Sequence, residues 1–184
     1  MFKSIFSFGR RSNRVVTDAL YNEIVASARQ PAFYAQMGVQ DIPLGRYEML
    51  STHMFLFLER TRGGSQALIQ LAQDVTDEFF KDVDHSLREL GIGDQGVPKR
   101  MKKLARMFYG RAEAYREAVA AGDDKALAAA LARNICPQEP SWSHADEMAA
   151  YVNRALAYLA IQDDTALLAG TISFPDAAQM EAGQ

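Results

Sequence analysis

Lys99, Lys102, Lys103 and Arg106 recur at steps of three and four residues, the spacing that stacks side chains on one face of a helix. Arg100 and Arg111 flank this strip on one side, Tyr109 lies on the other, and Gly110 falls within it. Cations at that density, with a hydroxyl and bare backbone beside them, suit an anionic partner such as an acidic peptide loop, RNA or lipid phosphate. A solvated lysine-rich face with an incidental glycine fits the same residues. Other chemistry is sparse. Asp74, Asp77 and Glu78 crowd one segment and suit either a divalent cation or pairing with the basic strip. His53, His85 and His144 are the only histidines and form no His-x-x-x-His or Glu-x-x-His pair, so no metal site is expected. His53 sits in an apolar stretch and reads first as a buried, hydrogen-bonded ring. Cys136 is the single cysteine and has no attendant base, which makes it a structural thiol rather than a nucleophile. No catalytic residue and no cofactor site emerges.

The elements that position these residues are helical throughout. Val16, Leu20, Ile24 and Ala28 repeat every four residues and predict a helix over 15–28, stopped by Pro31. Pro31 opens a short helix through Met37, and Ile42-Pro-Leu-Gly reads as a turn before a helix over 46–62, with Tyr47, Leu50, Met54, Phe57 and Leu58 on one stripe. Ser65 caps the longest candidate, 65–90, closed by Gly91. Pro98 begins a helix to 121, in which Met101, Leu104, Ala105, Phe108, Ala112, Tyr115 and Val119 share an arc of about 100° opposite the cations. Asp123 or Asp124 opens a helix toward Arg133. Ser143 with Asp146 and Glu147 resembles a capping box for a helix over 145–161, stapled by Trp142, and a last turn spans 165–168. No alternating strand and no fixed-period repeat appears. The fold expected is an all-α, single-domain orthogonal bundle of about seven helices around the long pair 65–90 and 98–121.

At 184 residues, 48% of them hydrophobic and 23% charged, the chain suits one packed domain and is too apolar for wholesale disorder. One cysteine fits a reducing compartment, so the expected location is cytoplasmic. No apolar run reaches the ~18 residues of a membrane span. Residues 1–14 carry Lys3, Arg10, Arg11 and Arg14 with Phe2, Ile5, Phe6 and Phe8, which suits either a frayed end or contact with an anionic membrane surface on the cytoplasmic face. The helical domain then covers 15–176, and 177–184 reads as a flexible tail. The net charge of −3 hides blocks of opposite sign: +3 over 1–64, −5 over 65–94, +5 over 95–119 and −6 over 120–184. Either the chain presents separate basic and acidic faces, or the two middle blocks are neighbouring helices that neutralise one another.

Order and spacing carry a resemblance. Phe79-Phe-Lys-Asp-Val-Asp-His-Ser-Leu-Arg-Glu-Leu-Gly-Ile-Gly-Asp94, Val97-Pro-Lys-Arg-Met-Lys-Lys-Leu104 and Phe108-Tyr-Gly-Arg111 resemble the ubiquinol-cytochrome c chaperone family, the assembly factors for cytochrome b of the respiratory bc complex. The similarity extends through Tyr34, Gly38 and Arg46-Tyr-Glu-Met-Leu-Ser-Thr-His53 to Leu167-Leu-Ala-Gly and Phe174-Pro-Asp, covering about 18–176. It implies an all-α protein without catalytic activity that receives newly made cytochrome b, with a small helper protein and ribosome contact in the mitochondrial forms. DNA is not an implied partner.

Two functions therefore stand at this point. One is an assembly chaperone with an apolar groove edged by the partner-binding strip of Lys99, Arg100, Lys102, Lys103, Arg106, Tyr109, Gly110 and Arg111. In that groove Met37, Met49, Met54, Met101 and Met107 either adapt to the partner or simply fill core. The other is a helical lipid- or isoprenoid-handling enzyme with a metal–diphosphate site. It requires Asp74, Asp77 and Glu78 to share a chamber with Lys99 or Arg100, whereas the chaperone requires an open groove with peripheral cations.

Overall fold

The computed structural model describes the backbone of residues 3–139 and 141–181, and the side chains of 13–139 and 141–179. The chain order is α1 (Lys3–Ala28), α2 (Pro31–Ala35), α3 (Pro43–Thr61), α4 (Gln66–Glu89), α5 (Val97–Ala121), α6 (Asp124–Ile135), α7 (Ala145–Ala160), α8 (Asp164–Leu168) and a terminal 3-10 turn, Ala177–Glu181. Among the described residues there is no strand. The all-α bundle is therefore as the periodicity requires, with α2 and α8 only five residues each.

Local signals place most boundaries. The Ser65 hydroxyl accepts from the Leu68 N–H at 3.3 Å, and the Asp123 carboxylate from the Ala126 N–H at 2.9 Å, so each satisfies one of the unpaired donors of a first turn. Several local details differ from the sequence reading, among them the end of α2, at Ala35 rather than Met37. Helix α1 begins at Lys3 rather than near residue 15, since no proline interrupts the upstream segment; the side chains of Phe2, Ile5, Phe6 and Phe8, on which the membrane-contact reading rests, lie outside the described residues. Helix α3 begins at Pro43, which occupies a first-turn position where its missing N–H costs nothing. Gly45 in that turn is obligatory, because a Cβ there would lie 2.0 Å from the Gln40 carbonyl oxygen. The expected capping box at Ser143 does not form: His144 occupies the N-cap, makes no capping bond through its side chain, and instead meets Glu147 at 2.6 Å.

The centre of the bundle is α3, not the pair α4 and α5. Residues 51–57 of α3 are all buried, and the helix is packed against α1, α4, α5, α6 and α7. A helix buried on every side cannot be amphipathic, so its polar groups need internal partners. Thr52 and Thr61 bond back to Glu48 and Phe57 carbonyls, at 2.9 and 3.0 Å. His53, fully buried as expected, holds the Met49 carbonyl at 2.9 Å and the Tyr151 hydroxyl of α7 at 2.8 Å. Trp142 joins the α6–α7 loop to the α2–α3 loop by donating to the Met37 carbonyl at 3.0 Å. The thiol of Cys136 is buried, and burial raises its pKa to about 11.

Helices α4 and α5 meet through rings rather than charges. Phe108 is 1% exposed, with its centroid 5.2 Å from that of Phe79, and Phe80 extends the cluster. Phe108→Ala is expected to lower stability by about 3 kcal/mol in urea denaturation, the cost of deleting a packed ring; a loss below about 1 kcal/mol would place the ring outside the core.

Candidate functional site

The cations of α5 are separated from its core arc by helical geometry alone, and the structure keeps five of them together. Lys99, Arg100, Lys102, Lys103 and Arg106 line an open cavity of about 1180 Å³ whose opposite wall is the 90–96 loop. Among the described residues, none of the five makes an ion pair, and the cavity's own carboxylate, Asp94, is engaged by Arg88. The arrangement opposes the helix's own stability. Like charges at i,i+4 each cost about 0.2–0.5 kcal/mol, and Lys99 and Arg100 sit in the first turn, where the helix dipole disfavours cations. A polyanionic ligand would relieve both.

The remaining candidates on α5 divide. Tyr109 is 52% exposed on the Phe80–Phe108 edge and lies outside the basic cavity; partial burial and the nearby Asp77 raise its hydroxyl pKa. Gly110 faces open space, with nothing within 4 Å of where a Cβ would be. Arg111 turns inward. Its guanidinium, 12% exposed, lies 2.9 Å from the carboxylate of Glu48, itself 2% exposed on α3. It also donates to Asn134 of α6 at 2.9 Å and stands 5.9 Å over the Tyr47 ring. Arg111 is thus a tie between α3, α5 and α6, drawn inward because an unpaired buried carboxylate would be far costlier.

A second, apolar groove of about 580 Å³ lies between α1, α3, α4 and α5, lined by Val25, Leu44, Leu50, Val83, Leu87 and Leu104. Leu90, 60% exposed, belongs to both cavities and forms the ridge between them. The groove is leucine- and valine-lined. Met37, Met49 and Met54 are core residues, and Met101 and Met107, half-buried, line neither cavity. The sequence points to an apolar groove beside the strip but lines it with methionines; its walls come instead from four helices, and the signal available was Leu44 with Leu87 and Leu90, the last steps of the 65–90 stripe.

The carboxylates of α4 do not converge on the cations. Asp74 accepts from Gln70 at 3.0 Å and from Asn13, Asp77 accepts from Gln73 at 2.9 Å, and Glu78 pairs with Lys81 at 2.9 Å. None of the three lines either cavity. Among the described residues no ion pair joins α4 to α5 either, so the expected neutralisation of the acidic block by the basic one does not occur. The geometry required by the enzyme reading is missing, and an open basic groove beside an apolar one is present.

The family model for ubiquinol-cytochrome C chaperone matches residues 35–174. The chain belongs to this family. It is also similar to a solved structure described as the Cbp3 homologue from Brucella abortus, with 57% identity over 97% of this chain and 99% of that one and a TM-score of 0.89. No curated protein matches. In this chaperone-family chain the matched segment contains the whole basic strip and every wall of the apolar groove except that from α1. No described helix is long and apolar enough to cross a membrane.

Two measurements follow from the buried groups. Desolvation raises the Glu48 carboxyl to about 7 despite Arg111, so its contribution to stability is full below about pH 4.5 and is lost as pH rises through 7. Burial depresses His53 to about 4, so its contribution is present above about pH 6.5 and lost as pH falls through 4. The slopes oppose each other between pH 4.5 and 6.5. Wild-type stability in urea should change little over that interval, whereas Glu48→Gln, lacking one slope, should lose about 2 kcal/mol on acidification across it; parallel profiles would disprove the assignment. Gly110→Ala should raise stability by about 0.5–1 kcal/mol in the same assay, since the methyl meets nothing and helix propensity improves.

Proposed function

We propose that the chain is a non-catalytic assembly chaperone that holds newly made cytochrome b while the ubiquinol-cytochrome c reductase complex is built. The observation that carries this reading is the junction of an apolar groove with an uncompensated basic cavity in a member of this chaperone family. Cytochrome b presents apolar segments bounded by charged loops, and a holder for it needs both surfaces side by side. Nothing in this role requires a bond to be made or broken. Lys99, Arg100, Lys102, Lys103 and Arg106 are the cations that face the partner. Tyr109 and Gly110 form the far edge of that face, and Arg111 supports it from within. The site of action is the cytoplasmic face of the inner membrane, reached peripherally, with a small helper protein or the ribosome as further contacts.

The test is capture. Replacing Lys99, Lys103 and Arg106 together by glutamate should not lower thermal or urea stability, because all three are exposed and the change removes a first-turn cation. The same change should sharply reduce the cytochrome b recovered with the tagged chain from solubilised membranes. Undiminished recovery would remove these cations from the mechanism.

A further inference from the structure

The size of the apolar groove limits what it can take. A membrane-spanning helix of ~20 residues, ~30 Å long and ~10 Å across, fills roughly 2400 Å³. The groove offers about 580 Å³. It therefore cannot enclose a span; it accommodates one row of aliphatic side chains from about two helical turns, anchors at i, i+3 or i+4, and i+7.

Charge gives the groove a direction. Around its rim the charges balance: the cations Arg29 and Arg46 stand against the carboxylates Asp82 and Glu89, with Arg46 also paired to Asp41 at 2.6 Å and Asp82 accepting the Tyr21 hydroxyl at 2.7 Å. At the Leu90 ridge, by contrast, the groove opens onto five cations with no carboxylate partners among the described residues. Only this end carries a net positive charge. A flat bilayer surface fits poorly, because the apolar floor is recessed: Val83 is 7% exposed, and Leu50, Leu87 and Leu104 are half-buried.

We infer that the site recognises a short amphipathic helical segment of about two turns, with aliphatic side chains in the groove and carboxylates just past one end lying over Lys99, Lys103 and Arg106. This deepens the reading above, on which it rests, by making the recognised element an acid-ended amphipathic stretch rather than a whole membrane span.

The probe is a fluorescein-labelled amphipathic peptide with leucines on one face and a run of glutamates at one end, compared by anisotropy with a twin ending in lysines, against the full chain. The glutamate-ended peptide should bind at least about tenfold tighter, equivalent to 1.4 kcal/mol. Lys99→Glu with Lys103→Glu and Arg106→Glu should invert that preference. Leu90→Asp should weaken both peptides about tenfold, and so should Leu44→Asp, an independent exposed position on the groove wall. Equal affinities for the two peptides, a preference untouched by charge reversal, or binding indifferent to both leucine variants would overturn the proposal. So would charge-dependent sedimentation with phosphatidylglycerol vesicles without peptide discrimination, or self-association abolished by Leu90→Asp without peptide binding. Recovery of cytochrome b by a chain that does not discriminate the peptides sinks this inference and spares the chaperone reading; discrimination without cytochrome b recovery does the reverse.

Discussion

The constraint on which the structure turns is the burial of α3 on all sides. Water reaches almost none of its middle two turns, so polar groups there depend on a neighbouring helix or on the helix itself, the buried Ser51 hydroxyl being left without a partner. Glu48 draws Arg111 out of α5, His53 takes the Tyr151 hydroxyl from α7, and the threonines turn back on their own backbone. Hydrophobic contact alone would let these helices slide past each other by small increments. Directional bonds from α3 to α5 and α7 fix their register, and the register of α5 sets which way its cations face.

This explains why α5 can carry a destabilising surface. Its inner arc is secured by Phe108 against Phe79 and by Arg111 against Glu48, so the outer face is free to hold charges that weaken the helix. The aromatic cluster between α4 and α5 also makes charge pairing between those helices unnecessary. The carboxylates of α4 are satisfied within α4 and by α1, and the cations of α5 stay uncompensated. Among the described residues the two charge blocks therefore do not pair across α4 and α5, although Asp94 of the acidic block lines the basic cavity.

Helix identity and the core face of α5 were legible because three- and four-residue spacing with proline, serine and glycine punctuation reports local geometry directly. The central role of α3 was not. A stripe of Tyr47, Leu50, Met54, Phe57 and Leu58 looks like an ordinary one-sided helix, yet Tyr47, Leu50 and Leu58 are half-buried while Thr52, His53 and Phe55 between them are buried. Burial of polar positions depends on partners far along the chain, which periodicity does not encode. Arg111 shows the same limit on a smaller scale: on the helical wheel it lies at the edge of the core arc, and only a carboxylate more than sixty residues upstream decides that it turns inward. The lining of the expected groove was misplaced for a related reason, since four helices contribute a wall each.

Cys136 gives the fold a practical property. Being the sole sulfhydryl, sequestered between α6 and the α2–α3 loop and held protonated well above neutral pH, it is a poor target for maleimides or other alkylating dyes. The native chain is thus a quiet background for chemical tagging. A second cysteine engineered at an exposed rim site would be the reactive one, and could report on a bound molecule without first deleting the original.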